Sequence, residues 1–192
     1  MNERTGHQWT GATVTALLVA GLACLGASGV RPAAAAAADE AGTRSSEDQL
    51  GFWVGSWDCY GRSGSLNGTN TLEWRVGGRV IHESWRAVDD TFGESWNWFD
   101  QEERAWKQVW VDQNGSDLEF TGEPEGSGIR FRAERETPEG RALVEMFVRP
   151  IEHGWVRQTG TRSLDGGATW EPRYDLIYVP TGEPYDHALI ER

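Results

Sequence analysis

The side chains best suited to chemistry sit in two neighbouring segments, VIHESWRA at 80–87 and GESWNWFDQEERAWKQVWVD at 93–112. Glu83 and Asp112 supply carboxylates, Asn97 and Gln108 amides, and Ser95 a hydroxyl, interleaved with Trp85, Trp106 and Trp110. Two carboxylates sharing a dry pocket would raise one pKa and allow acid/base work. An isolated internal acid, by contrast, is ordinarily hydrogen-bonded structure, so no residue is assigned a catalytic role. The amides and indoles admit two readings. Apolar walls carrying a few placed polar groups make a ligand pocket, and the same groups can satisfy one another inside a core. His82, His153 and His187 share no ligand spacing, so neither a metal nor a cofactor is expected. Cys59, in an apolar strand, reads as a small buried hydrophobe.

The elements that must position these groups are short strands. Stretches of β-rich or alternating character run near 53–60, 69–76, 79–87, 93–99, 105–112, 117–122, 128–135, 141–149, 154–162 and 169–179. Between them lie turn sequences such as RSGSLNG, DDTFG, QNGS and EPEGSG. No segment carries ten residues of helical periodicity; SEDQLGF at 46–52 has room for one short helical turn. Short strands, tight turns and no long crossover predict an all-β, antiparallel up-and-down barrel of about eight to ten strands, because closure removes exposed edges. A two-sheet sandwich is the alternative. If Asp100 pairs with Ala105 around QEER, Asn97 lies opposite Gln108 and Ser95 opposite Trp110. Since residues i and i+2 share a face, the expected lumenal set is Glu83, Trp85, Ser95, Asn97, Trp106, Gln108, Trp110 and Asp112, with Gln158 from a later strand. Glu83, Trp85, Asn97, Trp106, Gln108 and Trp110 are expected to line one cavity, and Trp96, Trp98 and Val109 to face outward. A slip of one residue would invert the two sets.

SLDGGATW at 163–170 has the spacing of the Asp box found in sialidase propellers. It falls between two expected strands. There Asp165 caps turn amides, Gly166 and Gly167 accept positive φ, and Trp170 packs beneath the turn, a structural role in a hairpin. A propeller repeats its box from blade to blade, and this chain has one copy and no internal repeat. The sialidase reading is therefore excluded.

The ordered strings FWVGSWDC, IHESW, GESWNWFD, WKQVWVD, VRQ and SLDGGATW, spanning 50–179, resemble a bacterial family of secreted domains of unknown function with a lipocalin-like (calycin) β-barrel. The resemblance implies the barrel and favours the face with Glu83, Asn97 and Gln108 as its lumen; it brings no established activity. Gly55-x-Trp57 is similar to the lipocalin start, in which a Trp plugs the closed end and stacks on a late-strand Arg. Trp57 is read as that structural plug, with Arg157, Arg162 or Arg173 as its partner. Haem held as in nitrobindin-like barrels would need a lumenal His, and none can be placed.

Residues 12–30, ATVTALLVAGLACLGASGV, are uncharged and apolar and precede an alanine run. This order is that of a secretory signal peptide over 1–38, cut after Ala38, followed by a flexible leader at 39–50, the barrel at 51–180 and a C-terminal tail at 181–192. A retained span and a lipidated Cys24 are the competing readings; Gly21 stands where a lipobox carries Leu or Val. Cleavage leaves Cys59 alone, so the core must hold the fold without an internal disulfide. With 18 Lys and Arg against 30 Asp and Glu, a net −12, the chain is unsuited to nucleic acid or anionic membranes. Ten of its eleven Trp lie beyond residue 50. The composite expectation is an exported barrel binding a small, hydrophobic molecule in a Trp-rich lumen, without membrane insertion after cleavage. An acid/base enzyme using the same lumen and a structural or protein-interacting barrel with a filled core are the alternatives.

Overall fold

A computed structural model describes residues 48–189. The expected signal peptide and residues 39–47 of the leader lie outside the described residues. Ten strands form one closed antiparallel barrel: β1 (Gly55–Gly61), β2 (Leu66–Arg75), β3 (Val80–Ala87), β4 (Phe92–Asp100), β5 (Ala105–Asp112), β6 (Asp117–Glu125), β7 (Gly128–Thr137), β8 (Gly140–Pro150), β9 (Val156–Ser163) and β10 (Glu171–Pro180). Each strand pairs with its neighbours in sequence, and β10 closes onto β1 with Cys59 opposite Tyr178. No free edge remains, and the sandwich alternative is excluded. Asp100 pairs with Ala105, Asn97 with Gln108 and Ser95 with Trp110. Asp100 fixes this register by accepting the backbone N–H groups of Glu102 and Glu103 at 2.8 and 2.9 Å.

An up-and-down barrel has two unlike ends. At one, the β2–β3, β4–β5, β6–β7 and β8–β9 turns meet the entering chain. Residues Gly51–Trp53 form a single 3-10 turn there, with Leu50 and Trp53 fully buried. Leu50, at the edge of the expected leader, is thus part of the core. Together with Leu72, Ile81, Trp106, Phe131 and Val148 these side chains fill and close that end. Trp57 is buried in the plug, its indole N–H donating to the Trp53 carbonyl at 2.9 Å, and Tyr178 meets both indoles edge-on at 6.0 and 6.3 Å. The expected arginine stack does not form. Arg157 alternates outward from the lumenal Gln158 and holds Asp175 through two bonds of 2.9 and 2.6 Å, Arg162 holds Glu171, and Arg173 is exposed.

At the other end lie the β1–β2, β3–β4, β5–β6, β7–β8 and β9–β10 turns. The last of these is the Asp box. Asp165 accepts the backbone N–H and the hydroxyl of Thr169 at 2.9 and 2.7 Å and the Ser163 hydroxyl at 2.7 Å, while Gly166 and Gly167 take φ of 72° and 95°. Trp170, expected beneath the turn, is 38% exposed. It lies along Gly167, near enough to touch a Cβ placed there, because Ser163 already fills the inner side of the turn. Outside the barrel, Ile177 and Val179 are buried under Trp155, Tyr60, Ile151, Tyr185 and Leu189. Part of the C-terminal tail therefore packs on the wall.

Candidate functional site

Because β5 rises from the closed end, its inward residues Trp106, Gln108, Trp110 and Asp112 occupy successive depths. Above the plug opens a cavity of about 630 Å³, reaching to the turns at the far end. Glu83, Gln108, Gln158 and Tyr178 are the polar groups at its floor. Trp85, Trp110, Tyr174, Leu118, Val144 and Leu176 form the wall. Asp89, Asp112, Asp117 and Arg135 stand at the mouth with Leu66 and Val88.

Six of the nine residues expected in the lumen line this cavity: Glu83, Trp85, Trp110, Asp112, Gln108 and Gln158. Ser95, Asn97 and Trp106 face inward and are buried but do not reach it. Alternation fixes the side of the sheet, whereas depth decides what meets the void; Trp106 lies at plug level against Phe99. On the outer face, Trp96 is 44% exposed and meets the His82 ring at 4.5 Å, tilted by 34°, and Trp98 and Val109 are half-buried. His82 bonds Glu94 at 2.9 Å, away from the lumen. Among the described residues there is no cluster of three metal-ligating side chains.

The floor is a continuous belt of hydrogen bonds. Gln108 donates to the Asn97 carbonyl at 2.8 Å, and Asn97 donates to the Ser95 hydroxyl at 2.9 Å. Ser95 in turn donates to Glu83 at 2.5 Å. From the other side Asn70 donates to Glu83 at 2.6 Å and to the Tyr178 hydroxyl at 3.3 Å, and Tyr178 donates to Gln158 at 2.6 Å. Both arms of the belt thus end as donors on Glu83. Burial pushes the Glu83 carboxyl above its ordinary 4.5, against the pull of the Ser95 and Asn70 bonds and the positive field of His82. Asp112 does not share in this. Its Oδ1 accepts the backbone N–H groups of Asn114 and Ser116 at 2.8 and 3.0 Å, capping the β5–β6 turn at the mouth. Glu83 and Asp112 therefore make no carboxylate pair: one is a buried, hydrogen-bonded acid and the other a turn cap. Cys59 is fully buried, and burial with the nearby Glu83 and Asp58 charges holds its thiol well above the usual range, so it is unreactive in the folded barrel.

The aromatic wall depends on two glycines. A Cβ at Gly93 would lie 2.3 Å from Cζ2 of Trp110, and one at Gly160 would lie 2.3 Å from Cε1 of Tyr174. Each ring occupies the space that a side chain on the glycine would fill, and this leaves room for the lumen between them. Among the participants that escaped the sequence reading are Asn70, Tyr174, Leu176 and Tyr178. Asn70 stands in TNTLEWR, where alternation with Leu72 and Trp74 was available to mark it as inward. Leu176 and Tyr178 lie where the strand is apolar on both faces, so no alternation marks the inner side there, whereas Tyr174 stands between Arg173 and Asp175, where alternation was available to mark it as inward. The chain matches no family model and no curated protein.

Proposed function

We propose that this protein is an exported binding barrel, lipocalin-like in kind, that holds one small and largely hydrophobic molecule in its Trp-rich lumen. The observation that carries this reading is the cavity of about 630 Å³ between the aromatic wall and the polar floor. Ligand pockets are about 300–1,000 Å³, apolar for the most part, with a few polar groups fixing orientation. A barrel built only for stability would fill this space with side chains, as the plugged half does with Leu50, Trp53 and Trp106. Export is supported by the uncharged stretch at 12–30 and the alanine run after it. Membership of the secreted family of unknown function rests on the ordered Trp motifs of residues 50–179, which place Glu83, Asn97 and Gln108 inside.

Trp85 and Trp110 line the cavity, so a bound planar molecule changes their emission. Titration of the protein with naphthylethanol, followed by intrinsic fluorescence and calorimetry, should give one saturable site per barrel. Trp110→Ala should weaken it. Heat and emission changes that never saturate, or a site unaffected by this substitution, would refute a lumenal site.

A further inference from the structure

We infer that the molecule the lumen selects is a small planar amine, entering head first so that its ammonium group rests on Glu83 at the floor. This deepens the binding reading and depends on it.

Three layers of the cavity carry the inference. Glu83 is a carboxyl buried at the floor whose one basic neighbour, His82, turns outward to Glu94, and among the described residues Arg135 is the sole base lining the cavity, at its mouth. Every hydrogen bond the belt makes to Glu83 comes from a neutral donor, Ser95 or Asn70. The site has acceptor capacity to spare. Each carboxylate oxygen accepts one protein bond, and Gln108, which lines the cavity with its amide nitrogen engaged, has a side-chain carbonyl without a protein partner among the described residues. Above the floor, Trp85 and Trp110 offer π faces to a cation as well as to an apolar body. At the mouth, three aspartates stand against one arginine, and the chain as a whole carries −12. That field draws in cations and repels carboxylates.

Other charged and titratable groups around Glu83 are few. His82 adjoins it on β3 but faces outward to Glu94; Cys59 on β1 and Tyr174 and Tyr178 on β10 face the lumen as neutral groups. No protein cation is therefore displaced when an ammonium arrives. A protonated Glu83 meeting an ammonium gives up its proton to solvent, leaving a carboxylate–ammonium pair. Atoms and charge balance without any further reactant.

The test uses three probes with one ring system: naphthylethylamine, naphthylethanol and naphthylacetate, titrated by calorimetry into the full chain. The amine should bind at least about tenfold more tightly than the acid, and Glu83→Gln should reduce that ratio severalfold. In wild type, paired buffers of different ionisation heat should report proton release for the amine at pH values above the ordinary carboxylate range and none for the alcohol. This readout needs no variant to fold, and the pH at which release is seen reports where Glu83 titrates in the folded barrel. An acid that binds as well as the amine, an unchanged ratio in E83Q, or amine binding without proton release at any pH would overturn the inference, with alcohol binding still upholding the lumenal site. Binding by none of the three would overturn both.

Discussion

Gly93→Ala tests whether the lumen is kept open by bare backbone. The new Cβ would sit 2.3 and 2.7 Å from Cζ2 and Cη2 of Trp110, and 2.8 Å from the Val111 carbonyl oxygen. Carbon atoms pack at about 3.5–4.0 Å, so the indole must move by more than about 1 Å. Backbone lies behind it, leaving the cavity as its one way out. The Val111 contact is not relieved by that swing, because it is backbone to backbone across the β4–β5 pair. Overpacking of this kind costs about 1–3 kcal/mol, partly offset by the roughly 0.5–1 kcal/mol that Ala gains over Gly in a strand. The net loss is about 1–2 kcal/mol, a fall in Tm of about 2–8 °C for a domain of this size. Gly51→Ala is the control, since its Cβ would meet Trp74 at an ordinary 3.7 Å. Calorimetry gives the stabilities, and naphthylethanol titration should show weaker binding in G93A alone. A G93A barrel as stable as wild type with unaltered binding would show that Trp110 does not lie on Gly93, and the account of the wall would fail.

Three further outcomes are expected. Gln108→Leu removes the donor to Asn97, so it should cost about 1–3 kcal/mol of stability in addition to weakening ligand binding; chemical denaturation would refute the belt if stability were unchanged. Glu83 keeps its proton to higher pH when folded than when unfolded. Its ionisation therefore costs nothing below its ordinary value of 4.5, and progressively more as pH rises from there to the folded value. The stability of Glu83→Gln relative to wild type should thus improve with rising pH across that window, and a flat or falling difference would contradict the assignment. Asp165, held down to about 2 chiefly by the Thr169 hydroxyl and amide, stabilises above the ordinary carboxylate value and loses that effect as pH falls toward 2. Asp165→Ala should lower Tm at neutral pH, and melting curves should converge with wild type in strong acid.

How much was legible in the sequence varied with what each feature depends on. The hairpin of β4 and β5 was readable to the residue, because clean alternation in ESWNWF and WKQVWV meets a loop that Asp100 caps. The inward set of β3, β4 and β5 followed from it. Depth was not legible. Whether Asn97 or Trp106 meets the void depends on where the Leu50–Trp53 plug stops, and that is a tertiary fact set by four residues before the first strand. Nor could alternation sort LIYV, since the tail buries Ile177 and Val179 on the outside while Leu176 and Tyr178 are buried within. Asp112 lines the mouth of the cavity, as expected, but its role as a turn cap was missed for a local reason. Its side chain satisfies amides two and four residues ahead, as Asp commonly does at the start of a turn.

The central claim is that the lumen exists to hold a molecule, and native mass spectrometry of the full-length gene product isolated from its own cells without detergent addresses it most directly. The account predicts a population heavier than the bare polypeptide by one small molecule, lost when the barrel is denatured and displaced by excess naphthylethylamine. Bare polypeptide throughout, with no adduct formed on adding any of the three naphthyl probes, would contradict it.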